Sequence, residues 1–404
     1  MKIFVSAYAC EPNLGSEIGV GWHWVLEMSK YFELWVLTRE SNMKNIEPWI
    51  AEHPEYCGIH WLYYDLPKWA RWWKRGLRGV RTYYNIWQWM TNGIVKKTMQ
   101  KEDIHVFHHL TYGNALWKVS SYGQKQTFIW GSIGGLETIP KEFSRHYGWK
   151  WRMTEMVRRL TVALLPMNTS FRKKCKNADL IFCKTEATRS LIPGKYRTKA
   201  MLMTDVAVDT ENNGHNGINR NDDKITILTV GRLDAWRGFD LVIEAFNMLA
   251  EKQKNVELHI LGDGSDKARL TKMINASTAR ENINLPGNVS QEQYNIYMQN
   301  CDIVVNAALK EGAVTASFDA IANGKPLVCI ESGGYTRTLK SGMCEIVAKH
   351  DRQQTIHELC KGMERFCKPE ERHAALDECH SMIKELSWET KGKTVRDAIL
   401  GIAE

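Results

Sequence analysis

The chain has 404 residues, a length that favours two domains over a single core. Its 44% hydrophobic and 25% charged residues are ordinary for a globular protein, and no run of about 18 apolar residues suggests a membrane span. The formal net charge of +8 is modest but unevenly placed, and the 10 cysteines include no Cys-x-x-Cys pair and no Cys/His cluster at zinc spacing. Scattered cysteines of this kind read as small buried hydrophobes in a reducing compartment rather than a disulfide framework. The tryptophan count of 16 is high for this length.

Short β-rich runs alternate with helical patterns, which argues for parallel sheets built from βαβ units. The apolar start Met1–Ala7 is too short for a secretory segment and reads as a buried first strand at Ile3–Ala7. An amphipathic stretch near Glu17–Lys30 follows, then strands at Leu34–Leu37, Val106-Phe107, Thr127–Trp130, Leu180–Cys183 and Ala200–Met203. Residues 205–223 are polar and rich in Asn and Gly, including Asn212-Asn213-Gly214, and form the candidate linker. Strands are then expected at Ile225–Val230, Val256–Leu261, Ile303–Asn306, Pro326–Ile330 and Cys344–Val347. A helix after Trp388 has no strand partner. The fold class is therefore α/β with two doubly wound Rossmann-like domains: 1–204, 205–385, and a C-terminal helix, 386–404, crossing back to the first domain.

In the first half, Gly15, Gly19 and Gly21 follow the first strand without the spacing of a dinucleotide fingerprint. Leu66–Lys101 holds nine Lys/Arg and five Trp with no Asp or Glu, including Trp72-Trp73-Lys74-Arg75. Indoles and cations together suit a lipid interface. A core helix with a basic outer face is the competing reading, and nucleic-acid binding a third without a module to support it. His108 and His109 end a strand, and adjacent residues leaving a strand face opposite ways, so only one of them can readily point into a cleft. A second glycine device, Gly131-Ser132-Ile133-Gly134-Gly135, follows a later strand.

The second half carries more chemistry. In Val230-Gly231-Arg232-Leu233-Asp234-Ala235-Trp236-Arg237-Gly238, a strand runs into a Gly, then two cations five residues apart, then a Gly opening a helix. Close backbone approach, a helix N-terminus and two guanidiniums suit a diphosphate. A plain strand-to-helix turn with solvated cations is the alternative. Gly262 and Gly264 mark another strand end, a weak signal alone. Lys310-Glu311-Gly312-Ala313-Val314-Thr315 then leads small residues into a helix bearing Asp319. Small side chains leave amides open to an anion. The two carboxylates, eight positions apart, would face one ligand along a helix, unless Asp319 merely caps or pairs on a solvated face.

These segments resemble the retaining glycosyltransferases of the GT-B fold, family 4, over about residues 225–330. The resemblance implies two domains facing across a cleft, with a nucleotide diphosphate sugar as donor substrate and no cofactor. It places Arg232 and Arg237 on the diphosphate, with Gly231, Gly262, Gly264, Gly312, Ala313 and Val314 around it. Glu311 is placed on the transferred sugar, Asp319 on the ribose, and Val289 near the base. Arg237 stands where the family has Lys, and Asp319 where it has Glu. Gly15 belongs to the family's N-terminal glycine loop, and His108, or alternatively His109, to a cleft histidine contacting the donor sugar. Gly134 and Gly135 fall on the acceptor side, with Trp72, Trp73, Lys74 and Arg75 as the candidate membrane face.

The function expected is transfer of a hexose, with retention and without metal, to a saccharide or lipid-linked acceptor in surface polysaccharide synthesis. No Asp-x-Asp motif is present, and no nucleic-acid partner is expected. The location expected is cytoplasmic, with the inner face of the cell membrane as a candidate surface. Competing readings are a peripheral membrane or nucleic-acid binding protein without turnover, a sugar-nucleotide epimerase, and a phosphorylase, for which no pyridoxal lysine is identifiable.

Overall fold

A computed structural model describes residues 1–74, 76, 79–120, 126–209, 224–312 and 314–403. The first sheet has strands β1 (Lys2–Ser6), β2 (Glu33–Thr38), β3 (His60–Tyr63), β4 (Val106–His109), β5 (Thr127–Ile133), β6 (Leu180–Cys183) and β7 (Ala200–Leu202). Their order is β3-β2-β1-β4-β5-β6-β7, with every neighbouring pair parallel. The second sheet has β8 (Ile225–Val230), β9 (Val256–Leu261), β10 (Ile283–Gly287), β11 (Ile303–Asn306), β12 (Leu327–Ile330) and β13 (Cys344–Val347). It is also parallel, in the order β10-β9-β8-β11-β12-β13.

The central strands are apolar on both faces because helices cover both faces of a parallel sheet. Ile3, Phe4 and Val5 of β1 have no exposed surface, and neither do Ile227 and Leu228 of β8. Two strands escape a reading of apolar runs, and both are edge strands. β3 is half-exposed along His60–Tyr63, and β10 contains Pro286, which an edge strand tolerates because it owes no ladder bond there.

The chain forms two compact units. One comprises Met1–Leu136, Val162–Asp205 and Trp388–Glu404; the other comprises Glu137–Thr161 and Val206–Ser387. The division thus differs from a simple split at residue 204. Ile139, Phe143 and Tyr147 join the core of the second unit, where the Ile139 amide donates to Glu155 Oε1 at 2.8 Å. Apolar side chains and a buried carboxylate bind that excursion to the later half. The helix Trp388–Ala403 packs in the first unit. Trp388 stacks on His23 at 5.1 Å, and Lys391 Nζ donates to the Thr204 carbonyl at 2.6 Å. Where the chain enters and leaves the second unit, the two passages lie side by side, Val208 N–H donating to Leu386 O at 2.8 Å. Most of the linker, residues 210–223, lies outside the described residues.

Both sheets reverse strand order beside their first strand, between β1 and β4 and between β8 and β11. Parallel sheets of this order bind ligands beyond the carboxyl ends of the strands at that reversal.

Candidate active site

In the second unit, β8 ends at Val230 and the backbone turns at Gly231, whose N–H donates to Leu261 O at 3.0 Å. Gly262 repeats the turn after β9, donating to Gly287 O at 2.8 Å. Gly262 has φ +134°, and a Cβ there would lie 2.0 Å from Gly231 O. A Cβ on Gly264 would lie 2.4 Å from Leu233 O. These two glycines are therefore required by loop-against-loop packing, rather than by the approach of a ligand alone. Gly238, at φ +70°, opens the helix Phe239–Lys252 where a Cβ would strike Ala307 O at 2.2 Å. It thereby sets the β8 loop against the loop after β11.

That contact brings the cations and carboxylates together. Arg237 Nη1 donates to Glu311 Oε2 at 2.5 Å, and its guanidinium lies 4.6 Å from the Trp236 ring centroid. Lys310 Nζ sits 5.4 Å from the same ring and donates to buried Glu155 Oε2 at 3.1 Å. Burial holds the Lys310 ammonium below the usual lysine range. Arg232 turns the other way, its Nε donating to Asp234 Oδ2 at 2.6 Å with the side chain 61% exposed. Asp234 is fixed in turn by the Ser265 hydroxyl at 2.8 Å.

Glu311 and Asp319 do not share a helix. The helix begins only at Thr315, and Gly312 O accepts from Tyr335 N–H at 3.0 Å. Tyr335 is buried and its hydroxyl accepts from Asn306 Nδ2 at 2.7 Å, so it pins this loop to the end of β11. The helix Thr315–Ala322 has no side-chain cap and no acid in its first turn, which leaves its dipole for an anion, while Ser317 N–H already donates to Val314 O at 2.9 Å. Gly312 and Val314 flank that end, while Ala313 lies outside the described residues. Asp319 accepts from Tyr294 Oη at 2.5 Å. Burial raises its carboxyl to about 6. Val289 is half-buried between β10 and the helix Gln291–Asn300, whose Ser290/Gln293 capping box fixes the turn.

The first unit fills the corresponding place differently. His108 is wholly buried, its Nε2 2.7 Å from Gly131 O and its ring between Trp24 and Phe182. His109 is 1% exposed, its Nε2 3.0 Å from Tyr84 Oη. Burial lowers their pKa values to about 4 and about 3, with Lys174 adding to the shift at His109. Against the expectation of one ring pointing into a cleft, both are buried, and aromatic side chains close over the strand end. Tyr8 packs edge-on against Tyr84, Trp87 and Tyr112 at 5.0–5.2 Å. Gly15 is exposed and starts the helix Ser16–Ser29, with nothing near the Cβ it lacks. Gly134 is buried under the Lys184 side chain, whereas Gly135 is exposed at φ +77°.

The Trp-rich segment divides into core and surface. Trp87 is fully buried, donating to Tyr64 O at 2.8 Å. Trp73 lies against Gly79, and Lys74 Nζ sits 5.3 Å from the Tyr83 ring. Trp69, Trp72 and Trp89 are exposed. Arg75 lies outside the described residues. Among the described residues, no helix is long and apolar enough to cross a membrane.

Sequence reasoning missed Tyr294, Tyr335, Lys310 with Glu155, and Asp234 with Ser265. Each acts through a partner far away in the chain, so no local spacing marks it.

Residues 211–379 match the family described as Glycosyl transferases group 1. An uncharacterized glycosyltransferase of Haemophilus influenzae is 25% identical over 191 residues, which are 46% of this chain and 51% of that protein. A phosphatidylinositol N-acetylglucosaminyltransferase component from Arabidopsis thaliana is 22% identical over 70% of this chain and 62% of its own length. The chain thus spans about half to three-fifths of these two relatives. Among solved structures, the sucrose-phosphate synthase of Thermosynechococcus elongatus superposes with a TM-score of 0.68 at 12% identity, over 99% of this chain and 98% of that one. Its likeness shows the fold. The Arg237–Glu311 site lies inside the segment that matches the group 1 glycosyltransferase family, on a chain whose two parallel-sheet units have the GT-B fold.

Proposed function

We propose that this protein transfers a hexose from a nucleotide diphosphate sugar to a lipid-linked saccharide, with retention and without metal, in surface polysaccharide synthesis. The observation that carries the reading is Arg237 paired with Glu311 beside the uncapped start of the helix Thr315–Ala322. Arg237, exposed Arg232 and the helix amides would neutralise the leaving diphosphate. Glu311 would hold sugar hydroxyls, and Asp319 with Tyr294 the ribose. The first unit would bind the acceptor, at the cytoplasmic face of the membrane. The Arabidopsis relative, by its name part of a phosphatidylinositol N-acetylglucosaminyltransferase, supports a lipid acceptor.

Retention follows if both bonds change on one face of the sugar. The anomeric carbon–diphosphate oxygen bond breaks, the acceptor oxygen bonds to the same carbon, and the acceptor proton passes to the leaving diphosphate. A thermal-shift screen against UDP-, GDP- and dTDP-hexoses, followed by NMR of the product anomer, tests the reading. Stabilisation by one donor class, an anomer matching the donor, and turnover that survives EDTA are expected. An inverted anomer overturns retention, and EDTA-sensitive turnover restored by magnesium overturns metal independence.

A further inference from the structure

The helix Trp149–Leu164 carries apolar side chains on two faces. Its inward face packs Trp151 against the core of the second unit and adds charged groups beside it. Glu155 pairs there with Lys310 Nζ at 3.1 Å and accepts from Ile139 N–H at 2.8 Å, while Arg159 donates to Ile139 O and to Ser144 Oγ. Its outward face carries Trp149, Met153, Met156, Val157, Leu160 and Leu164, each at least 46% exposed. At about 100° per residue these six fall within an arc of roughly 100°. Exposed Lys150 and Arg152 stand at the two edges of the arc.

A contiguous apolar stripe of this kind marks a surface that is covered in use. Charge decides what covers it. The helix has one acid, Glu155, and that carboxylate is spent inside on Lys310. The outer face therefore offers apolar side chains rimmed by cations, with exposed Arg145 just before them. A second copy seated here would present the same cations and no carboxylate to meet them. An anionic lipid surface supplies both needs, acyl chains for the stripe and headgroups for the rim. We infer that the outward face of the helix Trp149–Leu164 lies in the interfacial plane of an anionic bilayer. The inference rests on the lipid-linked acceptor reading and names the surface that makes the contact. Through Glu155 and Lys310, the same helix is joined to the loop that carries Glu311.

Co-sedimentation of the full chain with phosphatidylcholine vesicles containing increasing phosphatidylglycerol tests it. Wild-type binding should rise with phosphatidylglycerol and fall with salt. The triple variant Met153→Gln, Met156→Gln, Leu160→Gln should partition at least about tenfold more weakly. Its melting temperature and lipid-free donor hydrolysis should be unchanged, since all three positions are exposed. A polarity-sensitive dye on Met156→Cys, in a Cys57→Ser background that removes the exposed thiol, should shift to the blue on vesicles. Equal binding by wild type and triple variant overturns the inference while leaving the lipid-acceptor reading standing. Absence of wild-type binding, with sugar still transferred to a lipid-linked acceptor in detergent, does the same. A wild-type dimer that the triple variant abolishes, without vesicle binding by either, replaces the bilayer with a second copy.

Discussion

Two sheets with one strand order end in opposite chemistry. Beyond β8 and β11, the second unit displays half-buried charge, with Arg237 on Glu311, Arg232 on Asp234, and an uncapped helix start. Beyond β1 and β4, the first unit packs Tyr8, Tyr84, Trp87 and two neutral histidines into a closed aromatic core. Topology thus marks a place where a ligand can sit. Whether the place is open or filled depends on side-chain size and burial. In the second unit charged pairs and an uncapped helix start stand there; in the first, rings fill it.

The sharpest way to break this contrast is mutation of the charged pair. Glu311→Ala and Arg237→Ala should each lower turnover by roughly 10²-fold or more, as loss of a preorganised charged contact does. Melting temperatures should move little, because both side chains are partly solvated. Near-wild-type turnover by either variant would remove the active-site assignment.

The histidines should show the opposite pattern. His109→Ala opens a cavity beside Tyr84 and should cost about 2–4 kcal/mol of stability, read by denaturant unfolding. Turnover per folded molecule should stay within a few-fold. The pH dependence has a definite sign. The folded pKa values, about 4 for His108 and about 3 for His109, lie below the unfolded value near 6.5. The unfolded chain therefore binds more protons between those limits, and the contribution present above pH 6.5 is lost as pH falls toward 4 and below. A large turnover loss in a stably folded His109→Ala would place that histidine in the chemistry after all.

Asp319 should produce a smaller, pH-dependent effect on donor binding. Its carboxyl titrates near 6, raised from 3.8 by burial, and ribose hydroxyls donate best to the ionised form. Nucleotide affinity should therefore fall by about tenfold as pH drops from 7 to 5, measured by calorimetry at constant salt. Asp319→Asn should be uniformly weak and flat across that range. An unchanged wild-type slope in the variant would assign the titration elsewhere.

The smallest expected effect concerns the pin behind the loop. Tyr335→Phe removes the hydroxyl that meets Asn306 and Ser317, and should cost about 1–2 kcal/mol with only a few-fold loss of kcat. A hundredfold loss of kcat would mean that the hydroxyl itself touches substrate.

Much of this arrangement is legible from residue order because it is local. Apolar runs of strand length mark the central strands, such as Ile3–Val5 and Ile303–Val305, since a strand covered on both faces must be apolar throughout. Gly231, Arg232, Arg237 and Glu311 announce themselves by standing at strand ends among small residues. Only the tertiary structure decided the rest. His108 and His109 look poised for an edge until Trp24, Phe182 and Tyr84 arrive from elsewhere in the chain to bury them. Trp87 and Trp72 are similar in sequence context, yet one is core and the other surface, because only one faces the sheet. Residues 137–161 belong with the later half because Ile139, Phe143 and Tyr147 join its core and Glu155 finds Lys310 there. Burial, and with it protonation and partner choice, is set by contacts between distant segments, and those contacts exist only once the chain has folded.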